Sequence, residues 1–228
     1  MKLLALDTAT EALSVSLAIG GQQIDRYVEL DRGHAEQLLP MVEAVLAEGG
    51  IALTALDAVA FGRGPGGFTG VRLAASVAQG LAFGAGSGVV PVSNLAAVAQ
   101  QVIQRDPTVG HVLIANDARM REVYWAEYSV ASHVISLVGE ERVDAPGAVS
   151  FAPPLGNRWA AAGRGLRAWP ELAERCRAAG ASVLPELLPR ASEVLALAQL
   201  RVAAGQVLDP SQALPVYVRD RVAEPAKS

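Results

Sequence analysis

The chain has 228 residues, enough for one large domain or two small ones with a buried core. Hydrophobic residues make up 51% and charged ones 18%, against about 25% charged in an average soluble domain, which excludes disorder; a lone Cys176 excludes a disulfide framework and a four-thiolate zinc site and fits a reducing cytosol. The net charge is −4, with 6 basic and 10 acidic side chains in residues 1–110 and 13 of each in 111–228, so the chain lacks the basic stripe that unaided nucleic-acid binding requires.

In chain order, residues 3–7 are a short apolar run and 13–19 alternate apolar with small polar residues. Gly20-Gly21 then turns the chain into 22–30, so three consecutive strands open the protein. From His34, the residues Leu38, Leu39, Val42, Val45 and Leu46 recur at helical spacing until Gly49-Gly50 stops the helix. A strand at 58–62 leads through a glycine loop into a helix from 71 to about 83, a strand at 89–92 and a helix at 94–104 capped by Ser93. After Pro107 the pattern restarts, with strands expected at 111–115, 122–128 and 134–138. Residues 146–167 are irregular, rich in Pro, Gly and Arg, and Ala-rich helices are expected at 171–179 and 192–204. Two units, 1–107 read as βββαβαβα and 108–228 with its own three-strand opening, predict a duplicated α/β architecture.

The opening residues do not form a secretion signal, because Asp7 and Glu11 interrupt the apolar region. Residues 73–104 carry no charge and could on length alone span a bilayer. Gly84, Gly86, Gly88 and Pro91 divide that stretch, which reads as helix, loop, strand and helix of a cytoplasmic protein with no membrane contact.

The loop Gly62-Arg63-Gly64-Pro65-Gly66-Gly67-Phe68-Thr69-Gly70 contains G-x-G-x-x-G between strand and helix. No acidic residue follows at the distance a dinucleotide ribose needs, and Phe68 stands where a P-loop has its Lys, so both nucleotide fingerprints fail. The glycines fit either a tight turn packed on neighbouring backbone or a loop whose amides face an anion or a partner. Asp7, with Thr8 and Thr10, ends the first strand, and Asp117 holds the matching place in the second half. These residues are a candidate vestigial site for weak ATP or ADP–Mg²⁺ binding between the halves; the alternative is that both carboxylates serve their own turns. No metal site or cofactor is otherwise implied. His34 lacks a second His four residues on, where Leu38 stands, and Cys176 lies in an Ala-rich helix where packing is its expected role.

The helix from Val71 has almost no polar face, with Leu73, Val77 and Leu81 on one stripe and Ala74, Ala75, Ala78 and Ala82 elsewhere. Such a helix is covered on both sides. The expectation is a protein interface made by Val71, Ala74, Ala75, Ala78, Leu81 and Ala82, joined by His34, Leu38 and Val42 of the neighbouring helix. The alternative is a helix sandwiched within its own fold.

Leu6-Asp7-Thr8-Ala9-Thr10, then His34-Ala35-Glu36-Gln37-Leu38-Leu39-Pro40, and Gly64-Pro65-Gly66-Gly67-Phe68-Thr69-Gly70-Val71-Arg72 closely resemble the bacterial TsaB (YeaZ) family, as do Gln79-Gly80-Leu81-Ala82, Asp117-Ala118-Arg119, Glu122-Val123-Tyr124 and Pro215-Val216-Tyr217-Val218-Arg219. The resemblance runs the whole chain in order and thins between about 140 and 205. It implies the two-lobed fold of actin, Hsp70 and sugar kinases, with ribonuclease H-like βββαβα halves. It further implies a non-catalytic subunit of the complex that places threonylcarbamoyl on the adenosine beside the anticodon of tRNAs reading codons that begin with A. The implied partners are the catalytic TsaD subunit and, through the complex, the ATPase TsaE. A homodimer is expected when the chain is alone, and the resemblance implies that tRNA is met only through the complex. In the catalytic relative two His residues on one helix bind metal, whereas here Leu38 holds the second place. The alternative is a Mg²⁺-nucleotide-dependent transferase or hydrolase working from the cleft. Arg158, Arg164, Arg167, Arg175 and Arg177 make the later region locally basic, which reads as a solvated face.

Overall fold

The computed structural model describes residues 1–152, 156 and 158–219. β1 (Lys2–Asp7), β2 (Ala12–Ile19) and β3 (Gln22–Glu29) form an antiparallel meander in which Leu3 faces Ala18 and Asp7 faces Ser14. α1 (His34–Glu48) follows, then β4 (Ala58–Gly62), α2 (Phe68–Ala85), β5 (Gly88–Val92) and α3 (Asn94–Arg105). The Ser93 hydroxyl caps α3 by accepting the Ala96 amide at 3.2 Å. The uncharged stretch 73–104 is thus shared among α2, β5 and α3, and no helix among the described residues is long and apolar enough to cross a membrane.

The second half repeats the plan. β6 (His111–Asp117), β7 (Val123–Ala131) and β8 (Val134–Asp144) form another antiparallel meander. They are followed by β9 (Trp159–Ala162), α4 (Gly165–Ala168), α5 (Pro170–Ala178), β10 (Ser182–Leu184) and α6 (Ala191–Ala203). The first sheet runs β3-β2-β1-β4-β5 and the second β8-β7-β6-β9-β10, with β4 and β9 added in parallel to the first strand of their own meander. This repeated order is a duplicated two-lobed α/β fold, each half a three-strand antiparallel meander extended by parallel strands.

The sheets follow a division at residue 107, but the helices cross it. Leu95, Val98 and Val102 of α3 pack on Val112 and Ile114 of the second sheet, while Val194, Leu195 and Ala198 of α6 pack on Leu3, Ala5 and Ala60 of the first. α3 and α6 also touch each other, so the two helices form the middle layer between the sheets. α1 and α2 cover the outer face of the first sheet through Leu4, Leu6, Leu13 and Phe61; α4 and α5 cover the outer face of the second through Leu113 and Ala115. Strands buried on both faces need apolar residues at every position, as Leu3-Leu4-Ala5-Leu6 shows.

Candidate functional site

Between the lobes lies a cleft of about 920 Å³. Its first-lobe wall is made by Thr8 to Glu11, the α1 start at His34 and the glycine loop from Pro65 to Gly70; its second-lobe wall holds Asn116, Asp117, Arg119, Tyr124, Arg164 and Arg167. Of the residues read as a candidate nucleotide site, Thr8, Thr10 and Asp117 line this cleft and Asp7 does not. Asp7 is fully buried behind the wall. One carboxylate oxygen accepts the Ala9 amide at 3.2 Å and the other accepts from the Asn94 carboxamide. Burial pushes the Asp7 carboxyl up to about 7, and those two hydrogen bonds pull against it. Asp117 likewise accepts the Arg119 amide at 3.0 Å and pairs with the Arg119 guanidinium at 3.3 Å, so each carboxylate closes its own turn at equivalent strand ends.

The glycine loop packs on the turn after β1. A side chain at Gly62 would collide with the Asp7 carboxylate, and one at Gly70 with the Thr8 carbonyl. The Gly67 amide donates to the Ala9 carbonyl at 2.7 Å, and the Thr8 hydroxyl donates to the Gly70 carbonyl at 2.7 Å. Asn94 ties the loop from below, accepting the Gly64 amide at 2.7 Å while its own amide donates to the Gly64 carbonyl at 3.0 Å. Of the two uses open to these glycines, the structure shows the close backbone packing.

Two cleft residues were not singled out for this role by the sequence. Asn116, almost fully buried at the inner end of β6, has no hydrogen-bond partner for either carboxamide atom. Arg164, expected on a solvated face, instead reaches across the cleft to Glu11 at 2.6 Å and Glu29 at 2.7 Å. The flanking Gly163 and Gly165 lie against Ala115 and Asn116, which brings the arginine to the cleft mouth. The other arginines of that region are also engaged within the chain: Arg158 with Asp106, Arg167 with Glu186, Arg177 with Glu174, and Arg175 with the Pro146 and Val149 carbonyls.

The expected interface residues are mostly turned inward. Leu38, Val42, Ala74, Ala75, Ala78 and Ala82 are all buried in the first lobe's own core, against Leu6, Phe61 and their neighbours, and Val71 is buried beside the glycine loop. The physical reason is size: a helix lying over bulky Leu6 and Phe61 presents its small residues to the sheet. Leu81 is half-buried at the edge of that core, and His34 donates from Nε2 to the Thr10 carbonyl at 3.0 Å. The outward face of α2 carries Ser76, Gly80, Phe83 and Gly84, flanked by half-buried Leu73, Val77 and Leu81, and Leu39 stands exposed on α1. Phe83 is 80% exposed. Cys176 is buried among apolar neighbours that push its thiol up to about 11, as a packing residue requires. Among the described residues no three His, Cys, Asp or Glu side chains are grouped to hold a metal ion.

Comparison with known proteins places these features in a family. The family model described as TsaD, tRNA N6-adenosine threonylcarbamoyltransferase, matches residues 28–227. The tRNA threonylcarbamoyladenosine biosynthesis protein TsaB of Escherichia coli (strain K12) is 40% identical over 228 residues, covering 98% of this chain and 96% of that protein. The Haemophilus influenzae protein of the same name is 38% identical, covering 97% and 95%. A solved Pseudomonas aeruginosa structure, described as an uncharacterized protein with similarity to peptidase YeaZ, aligns with a TM-score of 0.87 at 43% identity over 96% of this chain and 99% of that one. A second, YeaZ from Pseudomonas aeruginosa, aligns at 0.84 with 42% identity over 95% and 99%. With its repeated sheets, its glycine loop packed on the β1 turn and relatives matched end to end, this chain belongs to the TsaB (YeaZ) family.

Proposed function

We propose that the chain is a non-catalytic scaffold subunit in tRNA threonylcarbamoyladenosine formation, binding a TsaD-type catalytic subunit through the outward face of α1 and α2. The observation that carries this reading is the composition of that face. From Phe68 to Ala85 the only charged residue is Arg72, and Phe83 and Leu39 stand exposed beside Val77 and Leu81, which are only partly covered by the described residues. Gly80 and Ser76 at its centre let another helix approach closely. A TsaD family model matching this chain supports a partner of related fold, and one self-complementary patch then serves both a homodimer and the mixed pair. TsaE and tRNA join through that assembly, in the cytoplasm.

The non-catalytic part rests on what the chemical candidates do instead. Asp7 is enclosed by Asn94, His34 is spent on the Thr10 carbonyl, and Leu38 is in the core. The alternative, a Mg²⁺-nucleotide-dependent transferase or hydrolase, is favoured by the cleft volume and the unpaired Asn116 carboxamide. It keeps Thr8, Thr10 and Asp117 but loses Asp7 as a ligand.

The test is a surface variant, Gly80→Arg, co-purified with the TsaD-type protein of the same cell. A Cβ at Gly80 meets nothing within 4 Å and the position is exposed, so Gly80→Arg is expected to leave the fold intact. It is expected to abolish association with the partner. Association of Gly80→Arg at wild-type strength overturns the reading.

A further inference from the structure

Three segments far apart in sequence, 68–72, 117–122 and 214–219, meet on one surface. The terminal segment crosses the glycine loop, where the Val216 amide donates to the Arg63 carbonyl at 2.7 Å. Tyr217 then lies beside Phe68 with ring centroids 5.7 Å apart, and the Arg72 guanidinium sits 3.7 Å over the Phe68 ring while its Nε donates to the Tyr217 hydroxyl at 2.6 Å. Two residues on, Arg219 reaches the second lobe, donating to the Ala118 carbonyl at 3.2 Å and pairing with Glu122. It also contacts Met120, at the tip of a turn in which Arg119, Met120 and Arg121 all have positive φ. Phe68 and Arg72 belong to the first turns of α2, and Phe68 and Arg119 also line the cleft, whereas Arg121, Tyr217 and Arg219 lie outside both the cleft lining and the α1/α2 face.

We propose that Phe68, Arg72 and Tyr217, with the arginines of the 119–121 turn, form a contact surface for unpaired RNA nucleotides, an inference that rests on the tRNA-modification reading above. Phe68 and Tyr217 are 49% and 45% exposed, so planar faces remain open in a place where a folded chain gains nothing from showing them. Aromatic rings and guanidinium planes stack on unpaired bases of any sequence. Phosphates supply the reason for the charge: four arginines gather here in a chain of net charge −4, and among the described residues Arg72 and Arg121 have no carboxylate partner. An apolar protein partner would leave both guanidinium groups unpaired; a nucleotide backbone pairs them. A contact this small holds RNA only weakly and at low salt without the assembly, which agrees with the acidic first half. It steers a strand that the assembly already carries.

The test is photo-cross-linking of the full chain, at low salt, to an eight-nucleotide single-stranded RNA containing 4-thiouridine, with the cross-linked tryptic peptides identified by mass spectrometry. Cross-links are expected on peptides 64–72 and 202–219, and none with a duplex of the same length. Tyr217→Leu is expected to lower the yield at least tenfold. Arg72→Lys keeps the charge and loses the planar stack, and is expected to lower it several-fold. Cross-links confined elsewhere, or equal yields from wild type and both variants, overturn the proposal. Equal displacement by an octaglutamate peptide also overturns it, in favour of an acidic protein segment. The readout needs no TsaD-type partner, so failure here is distinct from failure of the scaffold reading.

Discussion

Asp7 makes folding stability depend on pH in a direction opposite to that of most carboxylates. Its carboxyl is raised from an ordinary 3.8 to about 7 because burial disfavours the charged form. The folded protein therefore holds a proton that the unfolded chain has released between these values. Stability from this group is complete below pH 4 and is lost as pH rises to 7, by about 4 kcal/mol at most, taking about 1.4 kcal/mol per pH unit. Asp7→Asn removes the titration and adds a constant cost. An amide offers one acceptor oxygen, whereas each oxygen of the Asp7 carboxyl keeps a lone pair even with the proton bound, and both the Ala9 amide and the Asn94 carboxamide need one. Asn94 cannot turn over to compensate without giving up the Gly64 amide, so the loss is about 1–3 kcal/mol at every pH. Urea unfolding of both proteins at pH 5, 6, 7 and 8 separates the terms. The wild-type advantage over Asp7→Asn is expected to shrink as pH rises and then level off above 7. Parallel curves for the two proteins would refute the account of Asp7, whatever slope they share. Glu193, also raised by burial, contributes equally to both curves.

Four further substitutions probe the packing. Gly70→Ala places a methyl against the Thr8 carbonyl and is expected to cost about 3 kcal/mol, lowering the melting temperature by roughly 6–12 °C. Gly80→Ala, in the open middle of α2, is expected to raise it by roughly 2–4 °C, since glycine costs about 1 kcal/mol in a helix. Arg164→Ala removes the ties to Glu11 and Glu29, whose side chains are 36% and 44% exposed; solvent screening holds the loss to about 1 kcal/mol in chemical denaturation, and the difference is expected to vanish in 1 M salt. Ala78→Asp buries a charge in the first core and is expected to unfold the chain with or without a partner, in contrast to the folded Gly80→Arg.

The first lobe was legible because its signals are local: Gly20-Gly21 marks the hairpin, Gly49-Gly50 the end of α1, and Ser93 the start of α3. α2 begins at Phe68 rather than Val71 because Gly67 is its extended N-cap, and the glycine at 70 hid the first helical turn. β9 was missed for a different reason. Trp159-Ala160-Ala161-Ala162 has no strand pattern of its own and becomes a strand only by pairing in parallel with β6. The same limit governs the site. The Asx turns of Asp7 and Asp117 are written into adjacent residues, whereas the bond of Asp7 to Asn94, the reach of Arg164 to Glu11 and the meeting of Phe68 with Tyr217 join residues 87, 153 and 149 positions apart. The inward turn of the Ala74 and Ala78 face depended on the bulk of Phe61 across the core, which helix periodicity does not contain.

Light scattering of the chain alone, and of the chain mixed with the TsaD-type protein from the same cell, tests the scaffold reading most directly. The expected result is a dimer that exchanges into a mixed complex, with both species lost in Gly80→Arg. A mass fixed at one chain under all conditions would contradict it and return attention to the cleft around Asn116 and Asp117.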